Sequence, residues 1–184
     1  MTTNKKYTLV KSDTVTTWDG RTLYRIKAKV AIASLGIAAG TLGGYVESEK
    51  NLDHSGNAWV SGNAQVYGNA LVYGNAWVYG NAWVSGNAQV SGNAQVSGDA
   101  RVFGDAQKTP ITITGLRWVV TITDYQMSIG CHHHDLARWW KFSARQIAAM
   151  DSNATAFWDA HKASLQAICA ASGRPFAKTE VEAA

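Results

Sequence analysis

The chain has 184 residues, 46% of them hydrophobic and 16% charged, with a formal net charge of +4. Such a composition can bury a core and excludes a disordered chain, while no apolar stretch approaches the length of a membrane span, which excludes a transmembrane helix. Met1–Lys11 lacks the charged start, apolar core and cleavage site of a secretory signal, and two cysteines cannot build a disulfide framework, so a reducing, cytoplasmic setting is expected.

Residues 1–39 read as an N-terminal cap. Two strands, Tyr7–Val10 and Arg21–Val30, flank a turn at Asp19-Gly20. Residues 40–108 are dominated by a repeat. From Gly56 the sequence runs GNAWVS, GNAQVY, GNALVY, GNAWVY, GNAWVS, GNAQVS, GNAQVS, GDARVF, GDAQKT, nine hexads without insertion, ending near Gln107. Alanine holds one slot from Ala58 to Ala106, and valine holds the slot two later from Val60 to Val102. Two inward residues two apart mark a short strand, and the Gly-Asn that follows marks a corner, because both residues tolerate positive φ. A strand and a corner every six residues wind a β-helix, with three strands closing an 18-residue triangular coil. Three coils make a rod about 14 Å long, along which Asn57, Asn75 and Asn93 stack as an amide ladder.

The register extends upstream. Steps of six back from Ala58 reach Leu52 and Val46, and a step of eighteen back from Val60 reaches Leu42, so an irregular first coil is expected from near Gly40. In that register His54 takes a valine slot, as a cap residue rather than a catalyst. Solenoid ends need covering, and the N-terminal strands supply it.

Residues 109–184 form a small α+β module. Ile111–Thr114 and Arg117–Thr123 alternate apolar and polar about Gly115-Leu116 as a hairpin. Helices are expected over 135–142, 144–150 and 154–171, with Ser143 and Asn153 as N-caps and Gly173 past the end. Phe157, His161, Leu165, Ile168 and Cys169 share one face of the last helix.

The GNAxV run, with LYRIKA and LGGYVESEKNL before it, resembles the hexapeptide-repeat left-handed parallel β-helix proteins common in bacteria, phages and prophages. The tail, ITITGLRWVVTITDYQMSIGCHHH followed by FWDAHK, resembles a C-terminal domain often found in phage-encoded proteins. The resemblance implies a mainly β fold with a left-handed coil and a phage or prophage origin.

Seven large aromatics are expected to point outward from the rod: Trp59, Trp77 and Tyr79 on one face, Tyr67, Trp83 and Phe103 with Arg101 on the second, and Tyr73 with Leu71, Gln89, Ser91 and Gln107 on the third. Exposed aromatic area marks a binding or assembly surface, unless the flanking segments lie over it. In the tail, Arg138, Trp139, Trp140, Lys141 and Arg145 interleave base and aromatic beside His132, His133 and His134. Such a patch could stack a nucleobase and neutralise phosphate, the alternative being an amphipathic helix with a tryptophan in the core. Cys131 and His134 have C-x-x-H spacing to which His161 and Cys169 could add zinc ligands, but the spacing alone does not specify a metal, and no cofactor is expected. Basic residues sit at the two ends of the chain, eight in 1–50 and eight in 108–184, with no single stripe and no reading motif, which disfavours duplex DNA. Some left-handed β-helix proteins transfer acyl groups from coenzyme A with a histidine base, but no histidine lies between Gly56 and Gln107 and no phosphate loop opens a helix. The reading is a non-catalytic, homo-oligomeric phage binding protein that antagonises host defence by sequestering a nucleotide-type signal or a host protein. The alternatives are a structural scaffold and an acyltransferase.

Overall fold

The structure, a computed structural model, describes residues 5–104, 108 and 110–174. Ala106 and Gln107 of the last hexad lie outside them. Eight two-residue strands carry the repeat: β4 (Trp59–Val60), β5 (Gln65–Val66), β6 (Leu71–Val72), β7 (Trp77–Val78), β8 (Trp83–Val84), β9 (Gln89–Val90), β10 (Gln95–Val96) and β11 (Arg101–Val102). Each pairs in parallel with the strand one coil away, as in Val60 with Val78 and Val78 with Val96. The result is a parallel β-solenoid of about three turns. Its faces are β4-β7-β10, β5-β8-β11 and β6-β9. Every second backbone N–H along the coil donates to the coil above, for example Trp59 to Ala76, Ser61 to Val78 and Asn63 to Gly80, each at 2.9 Å. The repeat alanines from Ala58 to Ala100 and the valines from Val60 to Val102 are buried around one axis.

The corners divide their labour differently from the sequence expectation. Glycine alone takes positive φ; no other residue type does among the described residues. At Gly80 (φ 73°) an added Cβ would also lie 2.9 Å from the Gly98 nitrogen, so the residue is needed both for conformation and for the approach of the next coil. The asparagine that follows serves through its side chain. Asn57 donates to Asn75 (3.1 Å) and Asn75 to Asn93 (3.2 Å), while the ladder Asn63–Asn81 ends on the Asp99 carboxylate (3.2 Å), an acceptor that needs no further donor.

The first coil departs from the extrapolated register. Strand β3 (Leu42–Val46) pairs Val46 with Val66, and Leu52 bridges to Val72, both twenty positions on. Two extra residues are thus accommodated in the corner between Leu52 and Val60. Val46 and Leu52 occupy valine slots, not alanine slots. Leu42 is half exposed rather than axial, and His54 is displaced from the axis onto the Tyr7 ring (4.4 Å, stacked).

The N-terminal cap is a hairpin of β1 (Tyr7–Thr16) and β2 (Thr22–Ala28) that continues the second solenoid face through antiparallel pairing of β2 with β3. Its first residues close the open coil. Tyr7 donates its hydroxyl to the Leu52 carbonyl (2.8 Å), and the buried Lys6 ammonium donates to Ala58 (2.7 Å). A bulge between Val10 and Thr14 lets the hairpin tip bend over the outer surface of the second face.

The C-terminal module contains twice the strands expected. Strands β12 (Ile111–Ile113), β13 (Val120–Ile122), β14 (Gln126–Ile129) and β15 (His132–Asp135) form an antiparallel meander. Helices α1 (Leu136–Trp139), α2 (Ala144–Ala148) and α3 (Ala154–Ala171) follow, the first two shorter than expected. Ser143 caps α2 in a capping box with Gln146. Asn153 sits at the N-cap of α3 without a side-chain cap bond. Gly173 takes positive φ past the end of α3. The module docks on the last coil through Thr112, whose hydroxyl meets the Gln95 carbonyl, and through Phe103, whose ring lies 4.8 Å from His133. No helix among the described residues is long and apolar enough to cross a membrane.

Candidate functional site

The outward positions of the rod fall into covered and open sets. Trp59 is 0% exposed, packed edge-on against Tyr7 (6.4 Å), because the cap hairpin lies over the first coil. Tyr67 is 7% exposed in a small cluster with Leu23 and Tyr45 of the cap. Both were expected to project to solvent; both are internal contacts, since the flanking segment covers them. On the first face Trp77 and Tyr79 remain half-buried side by side (4.5 Å), with the Trp77 indole N–H donating to Ser61 (2.8 Å). On the third, Tyr73 donates to Gln89 (3.2 Å).

The second face carries a continuous outward row along the register: Arg25, Tyr45, Gln65, Trp83 and Arg101. The two arginines of this row each lie over an aromatic ring. Arg25 is 4.3 Å from the Tyr45 centroid and is also paired with Asp13 (2.6 Å). Arg101 is 4.9 Å from the Trp83 centroid and is exposed.

Trp18 was not anticipated. It stands 81% exposed at the hairpin tip, beyond a turn held by the Arg21 N–H donating to the Thr17 hydroxyl (3.0 Å). Loop tips are ordinarily polar, so a tryptophan directly before Asp19-Gly20 is an anomaly the sequence does display. Trp18, Tyr67, Trp83, Ser85, Arg101 and Phe103 line a groove of about 420 Å³ between the tip and the rod. Trp18 also walls an adjoining compartment of about 700 Å³ with a polar lining that includes Ser48, Lys50, Asn69 and Asn87. Arg21 in that compartment is neutralised by Asp19 (2.8 Å) and Glu47 (3.0 Å), whose carboxylates hold its guanidinium above its ordinary pKa.

The tail residues disperse. Trp139 is 2% exposed and stacks on Trp158 (5.4 Å), and Trp140 also stacks on Trp158 (5.7 Å), so both belong to the module core rather than to a surface patch. Arg138, Lys141 and Arg145 are exposed around α1 and α2, with Arg138 over Phe142 (5.7 Å). The three histidines lie on strand β15. His132 meets the Met150 carbonyl (3.2 Å), and His134 packs against Trp139 and Phe142. His133 faces the rod, its Nδ1 bonded to Ser128 (2.8 Å). Burial, with Arg101 nearby, lowers the pKa of His133 to about 4, and burial also lowers that of His134. Cys131 is exposed, Cys169 is buried with its thiol pushed up by desolvation, and the His161 ring lies tilted against Phe157 (4.6 Å). The suggested ligands Cys131, His134 and His161 therefore sit in separate environments. Among the described residues no three His, Cys, Asp or Glu side chains converge on a metal position.

Comparison with known proteins bears on the rod. The family model described as YdcK Beta solenoid repeat matches residues 64–80, 76–92 and 94–108, each about one coil. No curated protein matches the chain. The stacked coils and the matched repeats together make this a β-helix repeat protein.

Proposed function

We propose that the chain is a non-catalytic binding protein that holds a nucleotide-type anion in the groove between Trp18 and the second solenoid face. One observation carries the reading: a tryptophan 81% exposed faces a groove that also contains Trp83, Phe103 and an exposed arginine. Exposed aromatic area gathered around one groove, rather than a single exposed ring, is what marks a binding surface. A base stacked on such a ring gains about 1–3 kcal/mol, and an arginine beside it supplies a charge-assisted bond to phosphate. Lys50 in the adjoining compartment offers a second cation. The basic residues of the tail contribute less, because Trp139 and Trp140 are engaged in the module core.

The resemblance to phage proteins gives this site a context. A phage-encoded protein of this kind would act in the host cytoplasm, sequestering a nucleotide signal that drives a defence response. Binding of a host protein on the same surface is the variant. A homo-oligomeric scaffold is favoured by a different observation, the half-exposed Trp77 and Tyr79 on the first face.

A thermal-melt panel of cyclic dinucleotides, linear dinucleotides and mononucleotides tests the proposal. At least one should raise the melting temperature of the wild type, and Trp18→Ala should keep the unliganded melting temperature while losing that rise. An unchanged melting temperature across the panel contradicts the nucleotide reading. Large ligand-free assemblies in light scattering would favour the scaffold.

A further inference from the structure

A second cavity lies inside the C-terminal module, remote in sequence from the groove and unused by the proposed function. It is a pocket of about 90 Å³, open on one side, whose apolar wall is formed by Trp118, Ile129, Trp139, Ile147, Phe157 and Trp158. A mostly apolar pocket with a few polar groups at its edge is the usual form of a small-molecule site.

The walls select among guests. Trp139 and Trp140 both stack on Trp158, so the face of that ring is already engaged. Arg117 lies over Trp118 (5.4 Å) and Lys162 over Trp158 (5.6 Å). These cations already draw on the negative faces of the two rings, which leaves less of that attraction for a cationic guest. A neutral aromatic guest can instead meet ring edges with its own face, the preferred arrangement of aromatic pairs.

The polar groups lining the cavity add a second criterion. Asp151 is exposed, and one carboxylate oxygen accepts the Asn153 N–H (2.8 Å). That bond and the nearby Arg117 keep the carboxylate ionised. His132 Nε2 lies 3.2 Å from the Met150 carbonyl. A carbonyl only accepts, so Nε2 donates in this contact and is engaged. Asp151 thus offers the acceptor, while the exposed Cys131 thiol beside it is at most a weak donor.

We infer that this pocket is a binding site for a small, neutral, single-ring aromatic compound bearing a hydrogen-bond donor, its ring among Trp118, Phe157 and Trp158 and its donor at the Asp151 carboxylate. Phenol is the probe, with benzoate as the anionic and tetramethylammonium as the cationic control. Each is titrated into the full chain and followed by tryptophan fluorescence and by the NMR shift of the Met150 methyl group. Phenol should bind with a Kd on the order of 1 mM or below, benzoate at least about tenfold more weakly, and tetramethylammonium not detectably. Ala154→Leu, which fills the cavity from its wall, should abolish the phenol response and raise the melting temperature. Trp18→Ala should leave the phenol response intact, which separates this site from the groove. Should Ala154→Leu fail to fold, the Met150 shift and the order of the three probes on the wild type still decide the matter. Absence of any phenol response marks a mere packing void, preference for tetramethylammonium marks a cation cage, and loss of the response in Trp18→Ala places the ring in the groove; each of these overturns the inference.

Discussion

The rod and the C-terminal module bury comparable cores by opposite means. In the regular coils of the rod the axis is lined by alanine and valine, each coil repeats its neighbour, and backbone bonds run from coil to coil. In the module the interior is a knot of large rings, Trp139, Phe157 and Trp158 among them, drawn from strands and helices far apart in sequence. A repeated small-residue core leaves little freedom at any slot but spreads stability over identical steps. A core of few large rings concentrates it in single side chains.

This contrast can be broken at its strongest point first. Val78→Lys puts an ammonium on the solenoid axis, where no partner exists, and should abolish folding of the rod, a loss above about 4 kcal/mol. Trp77→Lys, one residue earlier but outward, should cost about 1 kcal/mol and leave a folded monomer; thermal melts followed by far-UV circular dichroism distinguish the two. Trp139→Ala should cost about 3–5 kcal/mol, and because the rod does not use this side chain, near-UV signals from the module should melt before the β-sheet signal of the rod.

A pH titration sharpens the boundary between the two regions. His133 is held neutral against Phe103, with a folded pKa of about 4 against about 6.5 in the unfolded chain. The unfolded chain therefore takes up the proton first as pH falls. The stabilisation is complete above pH 6.5 and is lost progressively down to about pH 4, by about 2 kcal/mol once the partial solvent screening of this half-buried ring is allowed for. Denaturant melts across that range should show the loss, and His133→Gln should flatten it. Asn75→Ala, which removes one rung of an exposed ladder, should cost the least, about 0.5–1 kcal/mol by the same melts.

The same contrast explains what could be read in advance. The hexad spacing specifies coil, axis and the Asn57–Asn75–Asn93 ladder, because one residue type recurs at each slot. The two extra residues between Leu52 and Val60 escape that logic, since nothing in a periodic pattern announces where a starting coil bulges. Strands β14 and β15 were also missed. Their side chains include Gln126, Ser128 and three consecutive histidines, without the β-branched alternation by which strands are recognised, and they are held by pairing with β13 and by the helices packed on them. Of the groove, Trp83, Arg101 and Phe103 follow from the repeat. The covering of Trp59 and Tyr67, and the return of Trp18 over the second face, depend on how the hairpin bends, which is a tertiary fact.

The central functional claim is that the groove, and not the basic surface of the tail, receives the anion. Isothermal titration of a cyclic dinucleotide into Arg101→Ala and into the combined Arg138→Ala, Lys141→Ala, Arg145→Ala variant tests it most directly. The account predicts at least about tenfold weaker binding in the first and near wild-type binding in the second. Wild-type affinity in Arg101→Ala together with loss in the combined variant would contradict it.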